Sequence, residues 1–157
     1  MNCPHTQFLQ ECLQLASDSA ASGGGPFAAL VVKNNTVIAR ACNTVTTGLD
    51  PTAHAEVNAI RAACQTLQSH QLTDCIIYSS CEPCPMCLGA IYWARPTAVY
   101  FAADHKQAAA AGFDDSFIYR QIKKDGADRT IPFHHVDLSQ SERPFSRWQQ
   151  NSQRTDY

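Results

Sequence analysis

Apolar residues recur at helical spacing near the start of the chain: Phe8, Leu9, Cys12, Leu15 and Ala16. That period predicts a first helix from Thr6 to Ala21, ended by Ser22-Gly-Gly-Gly-Pro26. The pattern then changes. Phe27 to Lys33 is an almost unbroken apolar run, followed by Asn34-Asn35 and a second run from Thr36 to Ala41. Two short runs joined by a tight asparagine turn predict a β-hairpin. Asp50-Pro51-Thr52 predicts the opening of a second helix, because aspartate caps well and proline suits the first helical position. Val57, Ile60, Cys64 and Leu67 then form a stripe expected to be buried.

Cys75 to Ser80 reads as a strand, Cys84 to Ala94 as a helix with Pro83 and Pro85 at its start, and Val99 to Ala102 as a strand. Strand, helix, strand is a crossover unit, so these two strands should be parallel. Ser116 to Lys123 is expected to be helical, Phe133 to Leu138 a further strand, and Glu142 to Gln150 a last helix. The fold class is therefore α/β: three layers, α/β/α, with a mixed five-stranded sheet and helices on both faces.

A length of 157 residues suits a single domain with a real core. No repeat, low-complexity tract or linker breaks it; the one doubtful boundary is the polar stretch from Lys123 to Arg129. A net charge of -2 argues against a general nucleic-acid binder. No run approaches the ~18 apolar residues of a membrane span, and MNCPHTQFLQECLQLA lacks a secretory pattern. The expected compartment is the cytoplasm, with no membrane partner.

The eight cysteines change this picture: Cys3, Cys12, Cys42, Cys64, Cys75, Cys81, Cys84 and Cys87. Without a secretion signal, such a count points to metal or catalysis ahead of a disulfide framework. Those in apolar surroundings, such as Cys42 and Cys75, read as small core residues. The stretch SCEPCPMCLGA holds two overlapping Cys-x-x-Cys pairs, Cys81 with Cys84 and Cys84 with Cys87. Such pairs serve as redox dithiols, disulfide corners, closed structural zinc sites or open catalytic ones. Cys84 and Cys87 lie three apart in a first helical turn, which puts both sulfurs on one face. A helix N-terminus favours the thiolate that binds metal.

His54, at the start of a neighbouring helix, can supply a third ligand, and sulfur with imidazole selects zinc. Glu56, two residues on, is not needed for ligation but is well placed to take a proton from a zinc-bound water. A thioredoxin-like dithiol would give His54 and Glu56 no role. A non-catalytic zinc module would recruit Cys81 as a fourth ligand and close the site. Glu56 is the reason for expecting water in that position.

His-x-Glu followed by Pro-Cys-x-x-Cys is the signature of zinc deaminases. With it the chain resembles the cytidine deaminase-like superfamily. The segments GGPFAALVV, DPTAHAEVNAIRAAC, SCEPCPMCLGAIYWARP and AAGFDDSFIYRQI, with the terminal TDY, resemble more narrowly the bacterial guanine deaminases. The likeness covers most of residues 24–157; the N-terminal residues match less well.

The resemblance implies one zinc ion per subunit on His54, Cys84 and Cys87, with water or hydroxide as fourth ligand. It implies that hydroxide attacks C2 of guanine while Glu56 shuttles the proton, giving xanthine and ammonia. Asp115, with Asp114 beside it, would read the N–H edge of guanine and assist loss of the amine. Asn43 would contact the purine, Phe27 and Trp93 would wall the flat base, and Ala55 would offer a backbone N–H. Tyr157 would come from the neighbouring subunit of a homodimer. That dimer would exchange its C-terminal segments from about residue 125, with Lys123–Arg129 as hinge.

Within the superfamily the rivals are a tRNA adenosine deaminase and a cytosine or deoxycytidylate deaminase. The first needs a basic surface, for which Lys123, Lys124, Arg129, Arg143, Arg147 and Arg154 are the candidates. The Asp114-Asp115 pair argues against a phosphate-bearing substrate.

Overall fold

The computed structural model describes residues 4–157; Cys3 lies outside the described residues. The chain divides into two compact units, one ending at Asp115 and the other running from Ser116 to Tyr157. The first unit holds α1 (Pro4–Ala21), β1 (Ala28–Lys33), β2 (Thr36–Cys42), α2 (Ala55–Leu67), β3 (Cys75–Cys81), α3 (Pro85–Ala94), β4 (Ala98–Ala103) and α4 (His105–Ala110). The second holds α5 (Ser116–Ile122), a single 3-10 turn (Gly126–Asp128) and α6 (Arg143–Gln150).

Asn34 and Asn35 take left-handed φ values of 52° and 58°. These are the torsions of a two-residue hairpin turn whose twist matches its strands, and asparagine tolerates them. β1 pairs antiparallel with both β2 and β3, and β3 pairs parallel with β4 through the α3 crossover, giving the order β2-β1-β3-β4. Val31 faces Ala39 while Val32 faces Val37, so Ile38 is an extra, bulged residue. The bulge puts Ile38 and Ala39 into the same hydrophobic cluster.

Strand alternation divides the core in two. Ala29, Val31 and Ile77 pack with Ala55, Ala59 and Ala63 of α2 and Ile91 and Ala94 of α3. Leu30, Val32 and Tyr78 point the other way, onto Cys12, Phe8, Leu9 and Leu15 of α1. Neighbouring residues of one strand thus serve opposite helical layers, which is the expected three-layer build. Fully burying a side chain such as Leu30 or Ile77 contributes about 1.5–3 kcal/mol.

Three expectations are corrected. α2 does not open at Asp50. It starts at Ala55 with His54 as N-cap. The Asp50 carboxylate instead accepts from the Thr52 N–H at 2.8 Å and hydroxyl at 2.7 Å, so its capping capacity is used in a turn. The buried stripe of α2 is also shifted. Val57 is buried, but Ile60, Cys64 and Leu67 are half-buried, and the alanines Ala55, Ala59 and Ala63 carry the contact.

The sheet has four strands among the described residues, not five: Phe133 to Leu138 is irregular and exposed. Its apolar residues change parity, Ile131 and Phe133 against Val136 and Leu138, so no single strand face would gather them.

The second unit contains no buried residue. Arg129 stacks its guanidinium 4.9 Å from the Phe133 ring centroid and donates from Nε to the Gln121 carbonyl at 3.1 Å. The stretch Lys123–Arg129 thus carries the 3-10 turn and is tied back to α5. Of the other cysteines, Cys12, Cys75 and Cys81 are buried and Cys42 and Cys64 half-buried, and every described thiol is free. No described helix is long and apolar enough to cross a membrane.

Candidate active site

Two helix starts meet here. His54 caps α2 and Cys84 caps α3, both with extended backbone, and neither side chain folds back to bond its own helix. An N-cap side chain normally satisfies its own first-turn N–H groups. Here both project toward each other instead. Pro85 begins α3 and Cys87 completes its first turn, which sets both sulfurs on one side. His54 Nδ1 stands 3.5 Å from Cys84 Sγ and 3.5 Å from Cys87 Sγ. The three donor atoms lie within 4.8 Å of one another.

A tetrahedral zinc with ordinary Zn–S and Zn–N bonds needs an S···N edge of about 3.6 Å. The donor set therefore fits zinc in both chemistry and spacing, with His54, Cys84 and Cys87 as its holders.

The charges agree with that fit. A hydrogen bond from Cys87, assisted by His54, holds the Cys84 thiol down to about 4. The same hydrogen bond to Cys84, with burial and the nearby Glu56, drives Cys87 far up. Cys84 is thus the sulfur that ionises first and Cys87 the one that keeps its proton, which a divalent cation would displace to leave two thiolates. His54 is raised chiefly by its hydrogen bond with Cys84. Cys81 stands outside the trio: its Sγ lies 3.9 Å from the Asp104 carbonyl, and burial pushes its thiol up to about 11.

Glu56, only 6 % exposed, sits beside the three donors. Cys87 Sγ donates to its Oε2 at 3.4 Å and Ser79 Oγ to its Oε1 at 3.1 Å. Burial raises the Glu56 pKa and these hydrogen bonds oppose the rise. Asp115 is half-buried; burial and then the charge on Cys84 raise its pKa, so its carboxyl is within electrostatic reach of the site. The turn that delivers it is built on Gly112. There φ is 96°, the Gly112 N–H reaches the Ala109 carbonyl at 3.0 Å, and the Phe113 N–H reaches that of Ala108 at 3.0 Å. This paired ending of α4 needs a left-handed residue at Gly112. Asp114 next to it is exposed.

Phe27 is half-buried and meets Phe113 edge-on, centroids 4.9 Å apart. Asn43 bonds its N–H to the Phe27 carbonyl at 3.0 Å, and its Oδ1 accepts from the Val45 N–H at 3.1 Å. That leaves the Asn43 amide nitrogen as the donor a ligand would meet. Ala55 is fully buried at the first position of α2, where the N–H has no partner within the helix. Trp93 lies on α3 six residues beyond Cys87, roughly a third of a turn off the sulfur face, and is 65 % exposed. Tyr157 belongs to the second unit, where its ring meets Trp148 edge-on at 5.9 Å.

Sequence reasoning missed three supports. Ser79 holds Glu56, and only the adjacency of β3 and α2 reveals it. Asn58 Nδ2 reaches the Cys42 carbonyl, Thr44 Oγ1 and the Ala53 carbonyl, tying the loop before His54 to α2. A Cβ on Gly25 would stand 2.9 Å from Cγ and Oδ1 of Asn43, so only glycine leaves room for that side chain. The run Gly23-Gly24-Gly25 was the available signal for the last of these.

Comparison with known proteins agrees with this geometry. The family model described as the cytidine and deoxycytidylate deaminase zinc-binding region matches residues 3–103. Guanine deaminase of Bacillus subtilis (strain 168) is 55% identical over 154 residues, 98% of this chain and 99% of that protein. The X-ray structure of guanine deaminase from Bacillus subtilis superposes with a TM-score of 0.96, covering 100% of this chain and 99% of that one. A structure of guanine deaminase from Nitrosomonas europaea gives a TM-score of 0.68 at 33% identity, over 73% of this chain and 66% of that one. The tRNA-specific adenosine deaminase of Aquifex aeolicus is 39% identical over 100 residues, 64% of this chain and 66% of that protein. The chain belongs to the cytidine and deoxycytidylate deaminase zinc-binding family.

Proposed function

We propose that this protein is a guanine deaminase, removing the C2 amino group of guanine by hydrolysis to give xanthine and ammonia. The observation that carries the reading is Glu56. It is a buried carboxyl 3.4 Å from a sulfur of the three-donor set, without being one of its ligands. When bound, zinc supplies a water acidified to a pKa near ~7. Glu56 takes a proton from the attacking water and returns it to a ring nitrogen of the base. Attack at C2 makes a tetrahedral centre; its hydroxyl proton then passes through Glu56 or Asp115 to the amine, the C2–N bond breaks as C2=O forms, and ammonia leaves. The Asn43 amide nitrogen suits an acceptor on the purine, and the Ala55 N–H adds a second donor. Phe27, held edge-on by Phe113, offers one face to a flat ring; Trp93 offers the other.

The likeness to the guanine deaminase of Bacillus subtilis runs over 154 residues, through the second unit, while that to the Aquifex aeolicus tRNA deaminase spans 100. This favours a free base over a tRNA substrate. Ammonia release from a panel of bases, nucleosides and nucleotides by zinc-loaded protein tests the reading; activity confined to adenosine in tRNA, or to cytosine compounds, would overturn it. The closed, non-catalytic zinc module is tested separately. Cys81→Ala is expected to keep one zinc per chain, because the Cys81 sulfur faces the Asp104 carbonyl. Loss of the ion would revive a fourth sulfur ligand.

The same proposal includes a homodimer in which the C-terminal segment from about residue 125 is exchanged and Tyr157 enters the partner's site. Its support is the second unit, where Phe145, Trp148, Phe133 and Tyr157 are all exposed although apolar. Mixing Glu56→Gln chains with chains lacking Tyr157 should restore activity, since one site of each hybrid would then be complete. Absence of complementation between two folded, mixed variants would exclude the exchange. Seven free thiols among the described residues suit a reducing compartment, and the cytoplasm is the one proposed.

A further inference from the structure

We propose that Ser79 is a positioning residue for the proton-transferring carboxylate, and that it divides the labour of the two Glu56 oxygens. Ser79 sits on β3 opposite Ala29 of β1 and is 1 % exposed. By strand alternation it shares the side of Ile77, which faces α2. Its hydroxyl has one hydrogen, and the surroundings decide where that hydrogen goes. The Cys81 N–H donates to Ser79 Oγ at 3.4 Å, occupying an acceptor lobe, while Oγ donates to Glu56 Oε1 at 3.1 Å. Glu56 Oε1 is thereby held as an acceptor. The other oxygen, Oε2, lies on the side of Cys87 Sγ, at 3.4 Å.

Resting on the function proposed above, the proton balance is then local. Oε2 takes the proton from the attacking water and gives it to the ring nitrogen, and it can then carry the C2 hydroxyl proton to the leaving amine, while Oε1 keeps its bond to Ser79 throughout. A free carboxylate could rotate about its last torsion and present either oxygen. Ser79 removes that freedom before the reaction starts, which is the form of preorganisation that lowers a barrier without tightening substrate binding.

The test compares Ser79→Ala, Ser79→Thr and Glu56→Gln, each assayed for zinc content, thermal melting, guanine kcat and KM, and the Glu56 carboxylate stretch. That band is identified in ¹³C-glutamate-labelled protein by its absence from Glu56→Gln. Ser79→Ala is expected to keep zinc, melt cooperatively and leave KM in place while kcat falls about 10- to 100-fold, the loss of a hydrogen bond to a charged group. Its carboxylate band should shift. Ser79→Thr, which keeps the hydroxyl, should restore both kcat and the band. An unchanged kcat with zinc retained would overturn the proposal. So would loss of zinc or of a cooperative melt in Ser79→Ala, which would make the role structural, or failure of threonine to restore the band. The band needs no turnover, so a fully active Glu56→Gln would defeat the proposed proton shuttle while leaving the Ser79 contact separately measured.

Discussion

The two units of the chain bury their apolar residues very differently. In the first, Leu30, Val31, Leu72, Ile77 and Tyr78 are all within 1 % of complete burial, shared between two helical layers by strand alternation. In the second, Phe117, Ile122, Phe133, Phe145 and Trp148 are between 40% and 69% exposed, and no residue is buried. The first unit therefore has its own hydrophobic driving force. The second has hydrogen-bonded turns and an aromatic pair but little burial to offset the cost of ordering its backbone. The candidate site and the deep burial lie together in the first unit, and the second is the part for which a partner is proposed.

The contrast can be broken most severely at the carboxyl. If chemistry belongs to the first unit, Glu56→Gln should lower kcat by about 10²–10⁴-fold. The zinc content and molecular mass in solution should stay as in the parent. A parallel change in molecular mass would blur the division. Next is the second unit itself. Trp148→Ala removes the ring that meets Tyr157. Loss of a large aromatic anchor of at least ~2 kcal/mol should weaken self-association by about 30-fold. Sedimentation would read this, while zinc binding stays intact; an unchanged association constant would mean that this face covers nothing.

A smaller effect tests how finely the first unit is tuned. Gly25→Ala would press a methyl against the Asn43 amide, 2.9 Å away. Because the atoms it meets belong to the Asn43 side chain, that side chain should turn aside. A lost contact of about 1.4 kcal/mol should then appear as roughly a tenfold rise in guanine KM, with kcat and melting little changed. Unchanged KM would remove Asn43 from the base contacts. The smallest effect lies at the rim, where Glu82 Oε2 meets His105 Nδ1 at 2.7 Å. The hydrogen bond with His105 holds Glu82 below its ordinary 4.5. Its share of stability is present above that value and lost as pH falls through the lowered one. The same bond holds His105 above its ordinary 6.5. That share is present below 6.5 and lost as pH rises through the raised value. The melting difference between parent and His105→Ala should thus be largest between pH 4.5 and 6.5 and fade in alkali. It should stay small throughout, because both groups face water. A difference that grows with pH would reverse the assignment.

Local chemistry was legible wherever it acts over a few residues. The hairpin followed from two asparagines that accept left-handed torsions, and the crossover from the order strand, helix, strand. The pairing of Cys84 and Cys87 in the candidate zinc site followed from sulfur spacing within one helical turn. The errors fell where a local signal met a competing partner. Asp50 looks like a helix cap, yet Thr52 takes its carboxylate and the helix waits until His54. Phe133 to Leu138 looks like a strand, yet its apolar residues change sides and it stands exposed in its unit.

Residue identities alone therefore pointed to the group of His54, Cys84 and Cys87 that could bind zinc, since donor softness and helical periodicity are properties of the chain itself; the role of Glu56 is the proposal built on it. They also separated Cys84 and Cys87 from Cys81, although the two Cys-x-x-Cys pairs look alike on paper. Folding decided the rest by bringing distant segments to within a few ångströms. It set Nδ1 of His54 at 3.5 Å from both sulfurs, Ser79 against Glu56 Oε1, and Phe113 against Phe27. These contacts span tens of residues, and their distances come from how helices stack on a sheet, which no local pattern encodes.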